Sequence, residues 1–158
     1  LIPRPETEEL VYKILNLHEK EALNVLDIGT GSGCIPIVLK TKRPSWDITG
    51  WDISTKAIEV AEKNALYHQA NVLFENIDMT KDSGDVHSKK HIIISNPPYI
   101  QPNEKVHMDN RVKQYEPEIA LYAPENDPFY YYKHVLFWAK KLLLPGGFVY
   151  LEINALLA

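Results

Sequence analysis

Ser95-Asn96-Pro97-Pro98-Tyr99 places an amide, two prolines and a phenol directly behind the run His91-Ile92-Ile93-Ile94. A short β-branched run without helical period reads as a strand buried on both faces. The prolines end that strand at a fixed place and fix the direction of the backbone that leaves it. In open α/β sheets ligands bind just outside the carboxyl ends of the strands. The segment would therefore present one side-chain amide, two carbonyls with no N–H following them, and an aromatic ring to a reaction site. Its plain reading is a proline turn behind a capping Asn. Both prolines together with the aromatic favour the chemical reading.

A second segment reads the same way. Gly29-Thr30-Gly31-Ser32-Gly33 follows the short apolar strand Asn24-Val25-Leu26-Asp27-Ile28, at a strand-to-helix turn where backbone can approach a ligand closely. A dinucleotide fingerprint would need its third glycine at position 34, which is Cys34, and a phosphate-binding loop would need Gly-Lys-Ser/Thr, which is absent. The pattern is Asp-x-Gly-x-Gly-x-Gly, opened by Asp27. Asp52 ends the next predicted strand, where a carboxylate can accept both hydroxyls of a ribose; a surface turn acid is the plain alternative. Asp78 and Met79 leave a third strand on the same edge. The acid can accept from an adenine amino group and Met79 can cover the ring as a soft apolar wall, a simple turn being the other reading.

The elements that must position these residues alternate along the chain. Leu10, Val11, Ile14 and Leu15 share one face of an amphipathic helix predicted from Pro5 to about His18, with acids in its first turn. A helix through Leu39 follows the glycine turn, and Pro36 fits it only within the first turn. Trp46 to Trp51 reads as the second strand, and Ser54 caps a helix whose Ala57, Ile58, Ala61 and Ala65 share a face. Val72 to Phe74 is the third strand, 81–90 a polar loop, and His91 to Ile94 the fourth strand. The segment 101–127 reads as a long functional loop. Asp127-Pro128 carries the chemistry of a helix start, and Tyr132, Val135, Leu136, Ala139, Leu142 and Leu143 keep helical spacing beyond it. Leu144-Pro145-Gly146-Gly147 turns the chain into a fifth strand, Phe148 to Ile153. Strands alternating with helices imply right-handed crossovers and a mainly parallel sheet.

Composition narrows the class. With 158 residues, 45% of them hydrophobic, the chain can bury one real core. A net charge of −4 and lysines scattered in twos and threes leave no basic stripe to track a phosphate backbone, so no direct nucleic-acid partner is expected. The single Cys34 excludes an internal disulfide and suits a reducing compartment. Six histidines lie far apart without metal-ligand spacing, so no metal site is read. With no signal peptide and no apolar run of transmembrane length, a soluble cytoplasmic protein without membrane contact is expected. Both ends read as cut: the chain starts inside a motif-like segment, without an initiator Met, and stops behind an apolar strand-like run.

Together, Asp27 to Gly33, the Asp52 position and Asn96-Pro97-Pro98-Tyr99 resemble the class I S-adenosylmethionine-dependent methyltransferases that act on planar nitrogens. Ile2-Pro3-Arg4-Pro5-Glu6-Thr7-Glu8, Tyr115-Glu116-Pro117 and Ala120-Leu121 narrow the resemblance to the HemK/PrmC family, protein-glutamine methyltransferases of peptide-chain release factors. The resemblance covers essentially the whole chain. It implies a Rossmann-like doubly wound sheet in the order 3-2-1-4-5, with the last two of the family's seven strands and its N-terminal helical domain outside residues 1–158. It implies S-adenosyl-L-methionine held by Gly29, Thr30, Gly31, Ser32, Gly33 and Asp52, with Met79 beside the adenine and Asn96 touching cofactor and substrate. Pro97, Pro98 and Tyr99 complete the glutamine site, with Asn96, Pro97 and Tyr99 as the catalytic set. Pro36, in place of an ordinary helix former, and Met79, where an aromatic is frequent, depart from the family's pattern.

The chemistry agrees with that implication. An amide nitrogen is a poor nucleophile because its lone pair is delocalised into the carbonyl. The Asn96 oxygen and the Pro97 carbonyl can accept its two N–H groups and hold it toward a methyl donor, and Tyr99 can stack on the flat amide. Asn is no general base, so its part is positioning and electrostatics. Two other readings stand beside this one: an adenine or guanine amino-methyltransferase working on a flipped base, and an S-adenosylmethionine-binding fragment without turnover.

Overall fold

The computed structural model describes residues 5–19, 22–82, 84, 87–98, 100, 122, 124 and 127–153. Its centre is β1 (Asn24–Ile28), whose last four residues are buried. β1 pairs in parallel with β2 (Asp47–Asp52) on one side and with β4 (Lys90–Ser95) on the other. β3 (Leu73–Asn76) adds outside β2 and β5 (Leu143–Leu151) outside β4, giving a parallel sheet in the order β3-β2-β1-β4-β5. The expected α/β architecture and strand order are found. The order reverses at β1, so a crevice opens between the carboxyl ends of β1 and β4. In register, Ile28 stands opposite Trp51 on β2 and Ser95 on β4. The loops that follow β1, β2 and β4 therefore leave the sheet at one level.

Helices α1 (Pro5–Leu17), α2 (Cys34–Lys42), α3 (Thr55–Tyr67) and α4 (Tyr130–Leu142) cover the sheet. Alternation along the strands sorts the core into two layers. Val25, Ile48, Ile92 and Ile94 pack with Val11, Ile14 and Leu15 of α1 and with Ile35 and Leu39 of α2. On the opposite face Leu26, Ile28, Trp51 and Ile93 pack with Val135, Trp138, Ala139 and Leu142 of α4. Ile92, Ile93 and Ile94 are fully buried, each contributing roughly 1.5–3 kcal/mol of apolar transfer. Pro36 is the third residue of α2 and costs it no internal hydrogen bond. Ser54 caps α3 as expected, its side chain accepting from Ala57 N.

Several boundaries differ from the sequence reading. α1 ends at Leu17, β2 starts after Trp46, and β4 gains Lys90 and Ser95. The third strand is Leu73–Asn76 rather than Val72 to Phe74, because its polar end pairs with Trp51 and Asp52. The last helix begins at Tyr130. Asp127 Oδ1 instead accepts from Phe129 N at 3.1 Å, closing an Asx turn ahead of the helix. On α4, Leu136 is 52% exposed and Trp138 fills the core position.

β5 starts at Leu143, before the expected turn, and ends at Leu151. The step Lys90 to Ile92 on β4 faces the step Leu143 to Phe148 on β5, so Pro145-Gly146-Gly147 bulges out of the ladder. Gly147 is required there, since a Cβ would lie 2.8 Å from the His91 carbonyl oxygen. The segments 1–4, 101–121, 123, 125–126 and 154–158, and Tyr99, lie outside the described residues, and with them most of the expected long loop and the Tyr115-Glu116-Pro117 and Ala120-Leu121 motifs.

Candidate active site

The turn after β1 is built by backbone. Gly29 N and Thr30 N both donate to the Trp51 carbonyl at 2.8 Å, which ties the turn to the end of β2. Gly29, Gly31 and Gly33 all have left-handed φ, at 75°, 57° and 79°, a combination only glycine adopts without strain. Gly33 also lets the chain in closely, since a Cβ would sit 3.1 Å from Ala61, Ile37 and Phe74. Asn64 of α3 donates to the Ser32 carbonyl at 2.9 Å and steadies the far side of the turn.

Asp52 is locked before any ligand arrives. Its Oδ2 accepts from Gly31 N at 2.8 Å and its Oδ1 from Ser54 N at 2.9 Å. A carboxylate offers about four lone-pair sites, so each oxygen keeps capacity for a further donor. The side chain links the glycine turn to the N-terminus of α3, with both oxygens oriented.

Asp27 is the group the sequence reading underused. It is 1% exposed, and neither of its carboxylate oxygens has a hydrogen-bond partner; the buried Thr30 hydroxyl lacks one as well. Burial pushes the Asp27 carboxyl up to about 7, the nearby Thr30 hydroxyl opposing the shift and the Asp52 charge adding to it. The signal in the sequence is an acid inside the apolar strand Asn24–Ile28, immediately before a glycine turn.

The exit of β3 is tied to the same corner. Ile77 N donates to the Asp52 carbonyl at 3.0 Å, and Asn76 Nδ2 donates to the Asp52 and Ile53 carbonyls at 2.9 Å each. Asp78 spends its acceptors locally, on Thr80 N and Oγ1 and on Lys81. Burial works against its ionisation, but the bonds from Thr80 and Lys81 outweigh it and hold the carboxyl below its usual range. Met79 packs half-buried against the α4 layer, and its carbonyl accepts from Trp138 Nε1 at 2.8 Å.

At the exit of β4, Ser95 Oγ donates to the Ile28 carbonyl at 2.7 Å, pinning this exit to that of β1. Asn96 follows, one residue beyond the Ile28–Ser95 register pair and so at the level where the glycine turn starts. Its Nδ2 donates to Thr7 Oγ1 at 3.3 Å, and Thr7 Oγ1 donates to Glu152 Oε2 at 2.7 Å. Pro97 is buried and Pro98 half-buried. The structure thus brings Gly29 to Gly33, Asp52, Met79 and Asn96 to Pro98 to one sheet edge; Tyr99 lies outside the described residues. Among the described residues no cluster of His, Cys, Asp and Glu could hold a metal ion, and no helix is long and apolar enough to cross a membrane.

The reversal of strand order at β1, the glycine turn and the oriented acid at the end of β2 define a Rossmann-like domain of the nucleoside-binding class. The fold is shared with solved methyltransferases. It superimposes on coclaurine N-methyltransferase, bound to N-methylheliamine and SAH, with a TM-score of 0.63 at 16% identity, over 93% of this chain and 35% of that one. A ribosomal protein L11 methylase from Lactobacillus delbrueckii subsp. bulgaricus gives 0.62 at 20% identity, over 97% and 63%.

Residues 9–114 match the family described as methyltransferase small domain, and the chain belongs to that family. It is 44% identical over 154 residues to the release factor glutamine methyltransferase of Bacteroides thetaiotaomicron, and 47% identical over 157 residues to that of Lactococcus lactis subsp. lactis. Each alignment covers 98% of this chain but 55% and 56% of the relative, so the chain spans about half the length of the curated relatives it matches. The resemblance to HemK/PrmC proteins carried by the motifs is therefore matched by identity along nearly the whole chain.

Proposed function

We propose that this chain is the catalytic domain of a longer, cytoplasmic protein-glutamine methyltransferase that uses S-adenosyl-L-methionine. Its substrate is the side-chain amide of the glutamine in the Gly-Gly-Gln motif of peptide-chain release factors. The observation that carries methyl transfer to a planar nitrogen is Asn96. It stands across from the glycine turn with its amide nitrogen engaged by Thr7, while its oxygen accepts from no described residue. The choice of glutamine over a nucleobase rests on the names and identities of the relatives.

The residues present fit the cofactor. A nucleoside has open approach at Gly29, where a Cβ would meet nothing within 4 Å, and orphaned buried acceptors stand next to it at Asp27 and Thr30. S-adenosylmethionine supplies, when bound, a methyl group on a sulfonium sulfur. Gly29 to Gly33 hold it through backbone, and Asp52 receives the ribose hydroxyls on the lone pairs left by Gly31 and Ser54. Met79 walls the adenine. Asn96 Oδ1 and the Pro97 carbonyl accept the two N–H groups of the substrate amide, aim its nitrogen and raise its electron density. The stacking role expected of Tyr99 falls on a residue outside the described ones. Fixing two reactants in attack geometry lowers a barrier by up to roughly 7–11 kcal/mol, and the paired prolines stiffen the segment that does so.

The test uses the full-length protein with radiolabelled S-adenosylmethionine, offered release factor in one tube and RNA or DNA in another. Label in the Gly-Gly-Gln peptide of the release factor is the expected result. Label only in nucleic acid overturns the glutamine reading in favour of a base amino group, and no label in either overturns both.

A further inference from the structure

We propose that Thr7 and Glu152 are positioning residues that set which end of the Asn96 amide faces the substrate. The inference rests on the glutamine-methylation reading above and extends it to residues distant in sequence. Thr7 lies in the first turn of α1, Asn96 behind β4 and Glu152 behind β5, yet their side chains form one chain: Asn96 Nδ2 to Thr7 Oγ1 at 3.3 Å, then Thr7 Oγ1 to Glu152 Oε2 at 2.7 Å. This gives the Pro5-Glu6-Thr7-Glu8 end of the N-terminal motif a task at the site.

The direction of the chain follows from proton inventory. An ionised carboxylate only accepts, and a hydroxyl carries one proton. Thr7 donates its one hydrogen bond to Glu152, so it meets Asn96 with a lone pair. Only the NH2 end of an amide satisfies a lone pair, which leaves Asn96 Oδ1 turned the other way. The reversed amide would offer donors to the donors of a substrate amide and leave Thr7 facing an acceptor.

Glu152 is a firm anchor for this relay. Its backbone N–H donates to the Ser95 carbonyl at 3.0 Å, and its carbonyl accepts from the buried Tyr132 hydroxyl at 3.4 Å. The residue before Asn96 and the residue that polarises Thr7 are thereby clamped to each other. Turning the Asn96 amide over would cost the relay one hydrogen bond, either its own to Thr7 or, if the hydroxyl turned to follow it, that of Thr7 to Glu152.

The experiment compares full-length protein with Thr7→Val, Thr7→Ser, Glu152→Gln and Glu152→Met, reading kcat and KM for release-factor methylation and the Kd of S-adenosylhomocysteine by calorimetry. Val keeps the shape and removes the hydroxyl; kcat is expected to fall ten- to a hundred-fold, the scale of a misplaced reacting group, with the cofactor Kd within twofold. Ser restores most of the rate. Gln still offers Thr7 an acceptor oxygen and is expected to keep most of the rate, whereas Glu152→Met offers none, frees the hydroxyl to donate to Asn96 Oδ1 and lowers kcat. A Thr7→Val enzyme within twofold of the unmodified kcat overturns the inference, as does a loss in which the Kd rises in step with the fall in rate. If Thr7→Val does not fold, Glu152→Met decides alone: a rate within twofold overturns the relay. An unmodified protein that methylates no release factor is a failure of the functional reading itself.

Discussion

Trp138 of α4 holds Met79, its indole N–H reaching the Met79 carbonyl at 2.8 Å from a fully buried position. The same ring stands edge-on to Trp51, with centroids 5.1 Å apart. Trp51 precedes Asp52 and donates through Nε1 to Glu75 at 2.9 Å. One pair of indoles therefore backs two loops at once, the Asp52 turn and the Met79 turn. A nucleoside bound across them would be read by residues whose geometry is set in the core.

Trp138→Phe keeps an aromatic ring and removes the donor, leaving the Met79 carbonyl short of a partner. An unpaired buried polar group costs about 1–3 kcal/mol, which a shift of the urea midpoint measures. Because the loop carrying Met79 loosens, the Kd for S-adenosylhomocysteine is expected to rise several-fold in calorimetry. A stability loss with unchanged Kd would show that the Met79 turn takes no part in the site.

Asp52→Asn tests the other loop. An amide supplies one acceptor oxygen and places NH2 against either Gly31 N or Ser54 N, where two donors would face each other. Hydrogen bonds to charged groups contribute about 1.5–3 kcal/mol each, so the expected weakening of S-adenosylhomocysteine binding is tenfold or more. Asp52→Glu does not rescue it, because the longer side chain cannot hold both N–H groups at these distances.

Much of this was legible in the chain itself, for reasons that differ by element. β1 and β4 are apolar runs ended by Gly29 and by Pro97, and strong punctuation fixes both the element and its exit. The parallel sheet followed from the alternation of strands and helices, whereas its order was implied by the family resemblance. What escaped were features that depend on partners far away in sequence. Trp138 took the core position expected of Leu136 because its indole reaches Trp51 and the Met79 carbonyl. Asn76 holds the Asp52 and Ile53 carbonyls across the sheet edge, partners more than twenty residues away that no local pattern names. The β5 bulge depends on Gly147 passing the His91 carbonyl, a contact that no local pattern announces.

Asp27 yields the pH prediction. Its ordinary value is 3.8, and burial raises it to about 7 in the folded chain, so between those limits the folded state binds more protons than the unfolded one. Stability from this group is therefore complete below about pH 4 and is lost as pH rises through about 7. The urea midpoint of the ligand-free protein is expected to carry a component that falls over that window, and Asp27→Asn, neutral throughout, removes it. The variant should also gain relative to the unmodified protein as pH rises toward 8. Parallel midpoint curves for the two proteins would mean that Asp27 is ionised and paired in the folded state. Thr30→Val sharpens the comparison: the nearby hydroxyl holds the value down, so removing it should move the falling component to higher pH.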